Sequence, residues 1–118
     1  MKASELRIGN YLYNDNVVVK IDARSIFDIW DDEGLRNYKS IPLTEDWLLK
    51  FGFKCVWSGQ GEGSTFKLSD IYLHSHDFVK NFSLVEFQGK DVKIKINSVH
   101  QLQNLYFALT GQELKIKE

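Results

Sequence analysis

Three histidines are the first residues in this 118-residue chain with an obvious capacity for chemistry. In His74-Ser75-His76-Asp77 the two imidazoles fall on one face of an extended strand, as chelation requires. Zinc takes three or four such ligands, held by further hydrogen bonds. Only His100, Asp70 or Asp77 is available to complete the set, none at an established spacing, so a polar strand end is the better reading. Cys55 with His100 would make a nucleophile and its base. The neighbours of Cys55 form neither an activating loop nor a helix N-terminus, so a buried free cysteine in a strand is expected. Asp77 followed by Asp91-Val92-Lys93 loosely matches a nuclease core in which carboxylates hold Mg²⁺ and a lysine steadies phosphate or water. Such spacings arise by chance in a chain with 26% charged residues, and His76 replaces the usual proline before the first Asp. Gly59, Gly61 and Gly63 suggest a phosphate cradle, but strand-like sequence follows where the dinucleotide fingerprint needs a helix. A kinase-type loop would need its third glycine at Ser64. A flexible hairpin loop able to make contacts fits better. No catalytic residue, metal or cofactor is expected from these patterns.

Binding surfaces are the more promising reading. Lys93, Lys95, Lys115 and Lys117, with Lys90 nearby, would form a basic stripe if their two alternating segments lay on one sheet surface. Such a stripe suits an RNA backbone or an acidic protein groove. Lysines also protect exposed strand edges, which is the plainer explanation. Asp28, Asp31, Asp32 and Glu33 beside Trp30 make an acidic loop with an aromatic anchor, suited to a basic groove on a partner or simply solvated.

The elements that must carry these residues follow from local chemistry. Tyr11–Tyr13 and Val17–Asp22 flank Asn14-Asp15-Asn16, which reads as a hairpin. Asp22 then caps a short helix with Ile26, Phe27, Ile29 and Trp30 at helical spacing. Tyr38–Ile41 is extended ahead of Pro42. Thr44 caps a second helix with Glu45 and Asp46 in its first turn, Trp47, Leu48 and Phe51 on its apolar face, and Gly52 as its stop. Strands are expected at Phe53–Trp57, Thr65–Leu68, Ile71–His74, Phe82–Phe87 and Val92–Ile96. In the last of these, Val92, Ile94 and Ile96 alternate with Lys93 and Lys95, which predicts a buried and a wet face. Ser98-Val-His-Gln101 is a capping box opening a helix with Val99, Leu102, Leu105, Tyr106 and Leu109 on one face, stopped by Gly111. Glu113–Lys117 reads as a closing strand. The expected fold class is α+β, a mainly antiparallel meandering β-sheet with two principal α-helices packed on it. It forms a single domain over 1–118, with a hairpin and helix half at 1–53 and a sheet and helix half at 54–118.

Composition narrows the function classes. Fifteen Lys and Arg against sixteen Asp and Glu leave a net charge of −1, so no global field draws nucleic acid or an anionic membrane. A chain of this size buries about two-thirds of its unfolded surface, enough for a core without disulfides. The single cysteine fits a reducing compartment, and the absence of a long apolar run predicts a cytoplasmic protein with no membrane partner. Uncovered strand edges leave a monomer or a small homo-oligomer open.

Three stretches carry a resemblance across nearly the whole chain: Ser4-Glu-Leu-Arg-Ile-Gly-Asn10, Ile41-Pro-Leu-Thr-Glu-Asp-Trp-Leu-Leu-Lys-Phe-Gly-Phe53 and Val99-His-Gln-Leu-Gln-Asn-Leu-Tyr-Phe-Ala-Leu-Thr-Gly111. They resemble a family of small proteins encoded in phages and prophages of Bacteroidota-type bacteria. Similar proteins from such mobile elements include an anti-CRISPR inhibitor of the type VI-B effector, the RNA-guided nuclease that cleaves RNA. The two helical motifs are explained by caps and apolar faces, so they mark the fold and are silent on chemistry. The resemblance implies a stoichiometric binder whose partner is a host CRISPR effector nuclease, with guide RNA as a further contact, and no enzymatic activity. The contacts are expected at Trp57, the loop around Gly61 and the Lys93, Lys95, Lys115 and Lys117 stripe, with Trp30, Asp31 and Asp32 as a second surface. The alternative is a phage accessory module that binds nucleic acid or protein without a CRISPR target. A metal-dependent nuclease using Asp77, Asp91 and Lys93 is the third reading.

Overall fold

In the computed structural model, residues 5–30, 38–59, 63–76 and 79–117 are described. The chain divides into two compact units, Met1–Pro42 with Ser98–Leu114 and Leu43–Asn97 with Lys115–Glu118.

The first unit starts from a tight hairpin. Strands β1 (Tyr11–Asn14) and β2 (Val17–Lys20) are joined by Asp15 and Asn16, both at positive φ (50° and 68°). Two left-handed residues form the turn whose twist matches the flanking strands, and Asp and Asn tolerate that conformation best after glycine. A short strand, β3 (Tyr38–Lys39), adds to β1, giving the antiparallel order β2-β1-β3. Helix α1 (Ala23–Trp30) begins where Asp22 accepts the Ser25 backbone N–H and hydroxyl, each at 2.9 Å. These bonds hold the Asp22 carboxyl below its usual range. Leu6, Leu12, Ile21 and Ile29 form the unit's apolar cluster, with Val19, Ile26 and Tyr38 packed against it. Helix α3 (Val99–Thr110) opens on the Ser98 hydroxyl, which accepts the Gln101 N–H, and closes at Gly111 with φ 74°.

The second unit holds α2 (Glu45–Lys50), capped by the Thr44 hydroxyl, which accepts the Trp47 N–H at 3.4 Å. The helix stops through two backbone bonds of 3.0 Å, Gly52 N–H to the Leu49 carbonyl and Phe53 N–H to the Leu48 carbonyl, with Gly52 at φ 98°. Five strands follow: β4 (Lys54–Gly59), β5 (Gly63–Leu68), β6 (Ile71–His76), β7 (Val79–Phe87) and β8 (Lys90–Ile96). They form an antiparallel meander in chain order, so β4 and β8 are the edges. Registered partners share a face, and the inner face is read through Cys55, Phe66, Leu73, Leu84 and Ile94. Phe66, Leu73 and Leu84 are buried, as are Trp47, Leu48, Phe51 and Phe53 of the same unit.

The α+β class and the meander stand, but the architecture differs in its parts. There are two antiparallel sheets, and the described residues hold three helices of unequal length. Ile94 is 40% exposed and Val92 half-buried, because β8 is an edge strand of the sheet; Ile96 alone of the three is buried. Cys55 is likewise exposed on the other edge strand, contrary to the expected burial. The closing strand at 113–117 does not form. Lys117 instead donates its backbone N–H to the Lys50 carbonyl at 2.7 Å, an acceptor left open at the end of α2.

Candidate interaction face on the five-stranded sheet

The outer face of the five-stranded sheet carries two rows of side chains. Pairings of Trp57 with Thr65, Thr65 with His74, His74 with Ser83 and Ser83 with Lys95 define the first. Four strand spacings separate its ends, about 19 Å. The second row runs Lys54, Lys67, Tyr72, Glu86 and Asp91. Lys93 precedes Lys95 of the first row by two residues on β8, on the other side of inward-facing Ile94, and so shares the outer face.

The two rows differ in chemistry. In the first, Trp57 is 46% exposed and its ring lies 6.2 Å from that of His74, tilted by 36°. His74 Nδ1 is hydrogen-bonded to Thr65 Oγ1 at 2.9 Å, which ties the imidazole to the neighbouring strand. The row contains no carboxylate. Lys93 and Lys95 are exposed, and neither is in an ion pair with a described residue. In the second row, Lys67 Nζ sits 5.3 Å from the Tyr72 ring centroid, a cation–π contact. Glu86 and Asp91 are registered opposite each other across the β7–β8 pair, so this row carries carboxylates as well as lysines. An open groove of about 370 Å³ runs past Lys67, Asp70, Tyr72 and Glu86. Its mixed charges favour neither an anion nor a cation.

The expected four-lysine stripe is therefore split. Lys93 and Lys95 share the outer face, whereas Lys115 and Lys117 lie outside the sheet because their segment pairs with no strand. Trp57 joins the lysine pair's face at the opposite edge. Trp30 is in the other unit, at the end of α1, and is 70% exposed, with Phe27 one turn earlier at 65%. Asp31, Asp32 and Gly61 lie outside the described residues, as does Asp77. Among the described residues, no three His, Cys, Asp or Glu side chains gather to hold a metal. No helix among them is long and apolar enough to cross a membrane.

No protein-family model, curated protein or solved structure matches this chain.

A second polar constellation combines serine, histidine and carboxylate at the start of α3. Ser98 Oγ lies 3.2 Å from His100 Nδ1, and His100 Nε2 lies 3.7 Å from Glu5 Oε2. The order serine, histidine, carboxylate is that of a hydrolase triad. Here Ser98 and His100 are 5% and 2% exposed, and the serine oxygen is already the cap of α3, accepting the Gln101 N–H. Burial disfavours the imidazolium and holds His100 below its usual pKa, with the Glu5 carboxylate opposing part of that effect.

The same end of the first unit holds a polar network that pattern reading did not anticipate. The buried Gln103 accepts the Tyr11 N–H at 2.8 Å and donates to the Gly9 carbonyl at 3.0 Å. Asn10 accepts the Arg7 N–H at 2.7 Å and donates to Asn104 at 3.0 Å, and Asn104 donates to the Glu5 carbonyl at 2.6 Å. Arg7 pairs with Glu113 while its guanidinium stacks 3.6 Å from the Phe107 ring centroid. Polar members of the first and third resembling stretches thus serve each other. The outer-face residues Thr65, Lys67, Tyr72, His74 and Ser83 carried a fainter signal. Their alternation with Phe66, Leu68, Ile71 and Leu73 marks a one-sided sheet, but not what the wet side meets.

Proposed function

We propose that this chain is a phage-encoded inhibitor that binds a type VI-B CRISPR effector nuclease stoichiometrically and interferes with its engagement of guide or target RNA. The choice of partner rests on the resemblance of Ser4–Asn10, Ile41–Phe53 and Val99–Gly111 to proteins of phages and prophages. The observation that carries the binding mode is the outer sheet face, where exposed Trp57, Lys93 and Lys95 share one surface. An exposed tryptophan at one edge supplies an aromatic anchor, and the two lysines at the other edge supply a patch complementary to an acidic surface or a phosphate backbone. The test is RNA cleavage by a purified type VI-B effector, titrated with the protein before and after guide loading. Inhibition saturating near equimolar protein supports the reading, and the order of addition locates the blocked step. Full cleavage at a large molar excess, across several such effectors, removes it.

A second reading is favoured by a separate observation. Phe27 and Trp30 project from α1 in the other unit, an exposed aromatic pair at i and i+3. Such a pair suits an accessory module that engages a protein or nucleic acid without any CRISPR target. Capture of the same partner from cells lacking a CRISPR system, lost on changing both residues to Ser, would select this reading.

A further inference from the structure

We infer that the first outer row of the five-stranded sheet is a contact strip for single-stranded RNA, with bases stacking at Trp57 and His74 and phosphates meeting Lys93 and Lys95. The inference takes from the proposed function only that the outer face is the binding face. It adds the chemistry of what is bound there.

Three features of the row select this occupant. The first is charge. Trp57, Thr65, His74, Ser83 and Lys95 include no carboxylate, whereas the neighbouring row sets Glu86 and Asp91 against its lysines. A polyanion laid along the first row meets Lys95, with Lys93 beside it, at its β8 end. The second is the aromatic end. The Trp57 and His74 rings lie 6.2 Å apart and tilted by 36°, side by side on adjacent parts of the face and not stacked into a closed sandwich. Two adjacent π-faces beside a basic patch form the platform on which unpaired bases stack irrespective of sequence. The third is length. About 19 Å across five strands spans about four nucleotides, the low end of the site size of small β-modules. Thr65 and Ser83 place hydroxyls between the two ends, suited to hydrogen bonds with ribose hydroxyls. A duplex is excluded by the same chemistry, because its bases are already stacked and offer no free face to Trp57.

The test uses the full chain and a fluorescein-labelled oligouridine of about a dozen nucleotides, followed by anisotropy between about 50 and 200 mM salt. Saturable binding is expected, weakened about fivefold or more in Trp57→Ala and largely restored in Trp57→Phe. Lys93→Glu/Lys95→Glu is expected to lower the slope of log affinity against log salt by about 1.4, two phosphate contacts' worth on a single strand. Lys115→Glu/Lys117→Glu, off the face, should leave that slope unchanged. Near-ultraviolet circular dichroism identifies any variant that has lost its fold, and Thr65→Val/Ser83→Ala, milder changes in the same row, then replaces it. No saturable binding by the wild-type chain, or binding indifferent to all of the row's variants, overturns the strip. The effector assay keeps the two ideas apart. Inhibition that depends on Trp57 without any RNA binding assigns the face to a protein partner and ends the RNA inference alone. RNA binding that depends on the row, with no inhibition, ends the inhibitor reading alone.

Discussion

The Gln103 side-chain oxygen accepts the Tyr11 backbone N–H at 2.8 Å, across 92 positions of sequence. The same amide donates to Gly9, so one buried side chain satisfies a donor and an acceptor at the entry to β1. Gln103→Met keeps the length and removes both partners. It should cost about 2–3 kcal/mol in urea denaturation, since buried groups left unpaired carry their desolvation penalty. A cost near zero would mean that water replaces the amide.

His100 makes stability depend on pH. Its folded-state pKa lies below the ordinary 6.5, chiefly through burial. Between the folded and unfolded values the unfolded chain binds more protons, so stability is full above about pH 6.5 and falls as the pH drops towards the folded value. Melting temperatures across pH 5 to 8 should show this decline. His100→Asn retains a partner for Ser98 and should flatten it. An unchanged slope in that variant would place the effect elsewhere.

Gly52 ends α2 at φ 98°, and a Cβ there would meet the Lys117 side chain at 3.0 Å. Gly52→Ala should therefore lose about 1–2 kcal/mol from backbone strain alone. Adding Lys117→Ala should recover only the steric part, as read from a double-mutant cycle in urea. Complete recovery would show that the contact, not the backbone, carries the cost.

Cys55 stands exposed on edge strand β4, its thiol 3.5 Å from the Trp57 carbonyl. A disulfide-exchange reagent should titrate it fully in the native protein, without denaturant. RNA bound along the outer row should leave the rate unchanged, because Cys55 is registered with Phe66 on the inner face. Protection in the free protein would mean that the β4 edge is covered.

The split of the lysines has its own consequence for the proposed inhibition. Lys93→Glu/Lys95→Glu should raise the concentration needed for half-inhibition about tenfold, a size typical of charge reversal at a complementary surface. Lys115→Glu/Lys117→Glu should change it little. Equal losses in both pairs would argue for non-specific attraction.

Local chemistry alone determined the hairpin at Asp15-Asn16, the caps at Asp22, Thr44 and Ser98, the stops at Gly52 and Gly111, and the alternating strands of the meander. Each of these is decided within a few residues, by a hydroxyl or carboxylate reaching a free N–H, or by a backbone angle few residues tolerate. What depended on strand order was out of reach. Whether Lys93 and Lys95 are joined by Lys115 and Lys117, or by Trp57, is fixed by which segment pairs with β8 and by register across five strands. Alternation in Val92–Ile96 and Phe53–Trp57 names the faces but not which strands are edges, so Ile94 and Cys55 read as buried until the sheet's limits are known. The partners of Asn10 and Gln103 were hidden for a related reason. A polar residue in a helix reads as solvated unless the chain that returns to cover it, from more than 90 positions away, is in view. The sequence specifies those contacts, but only the tertiary structure, which brings distant backbone groups within hydrogen-bonding distance, makes them visible.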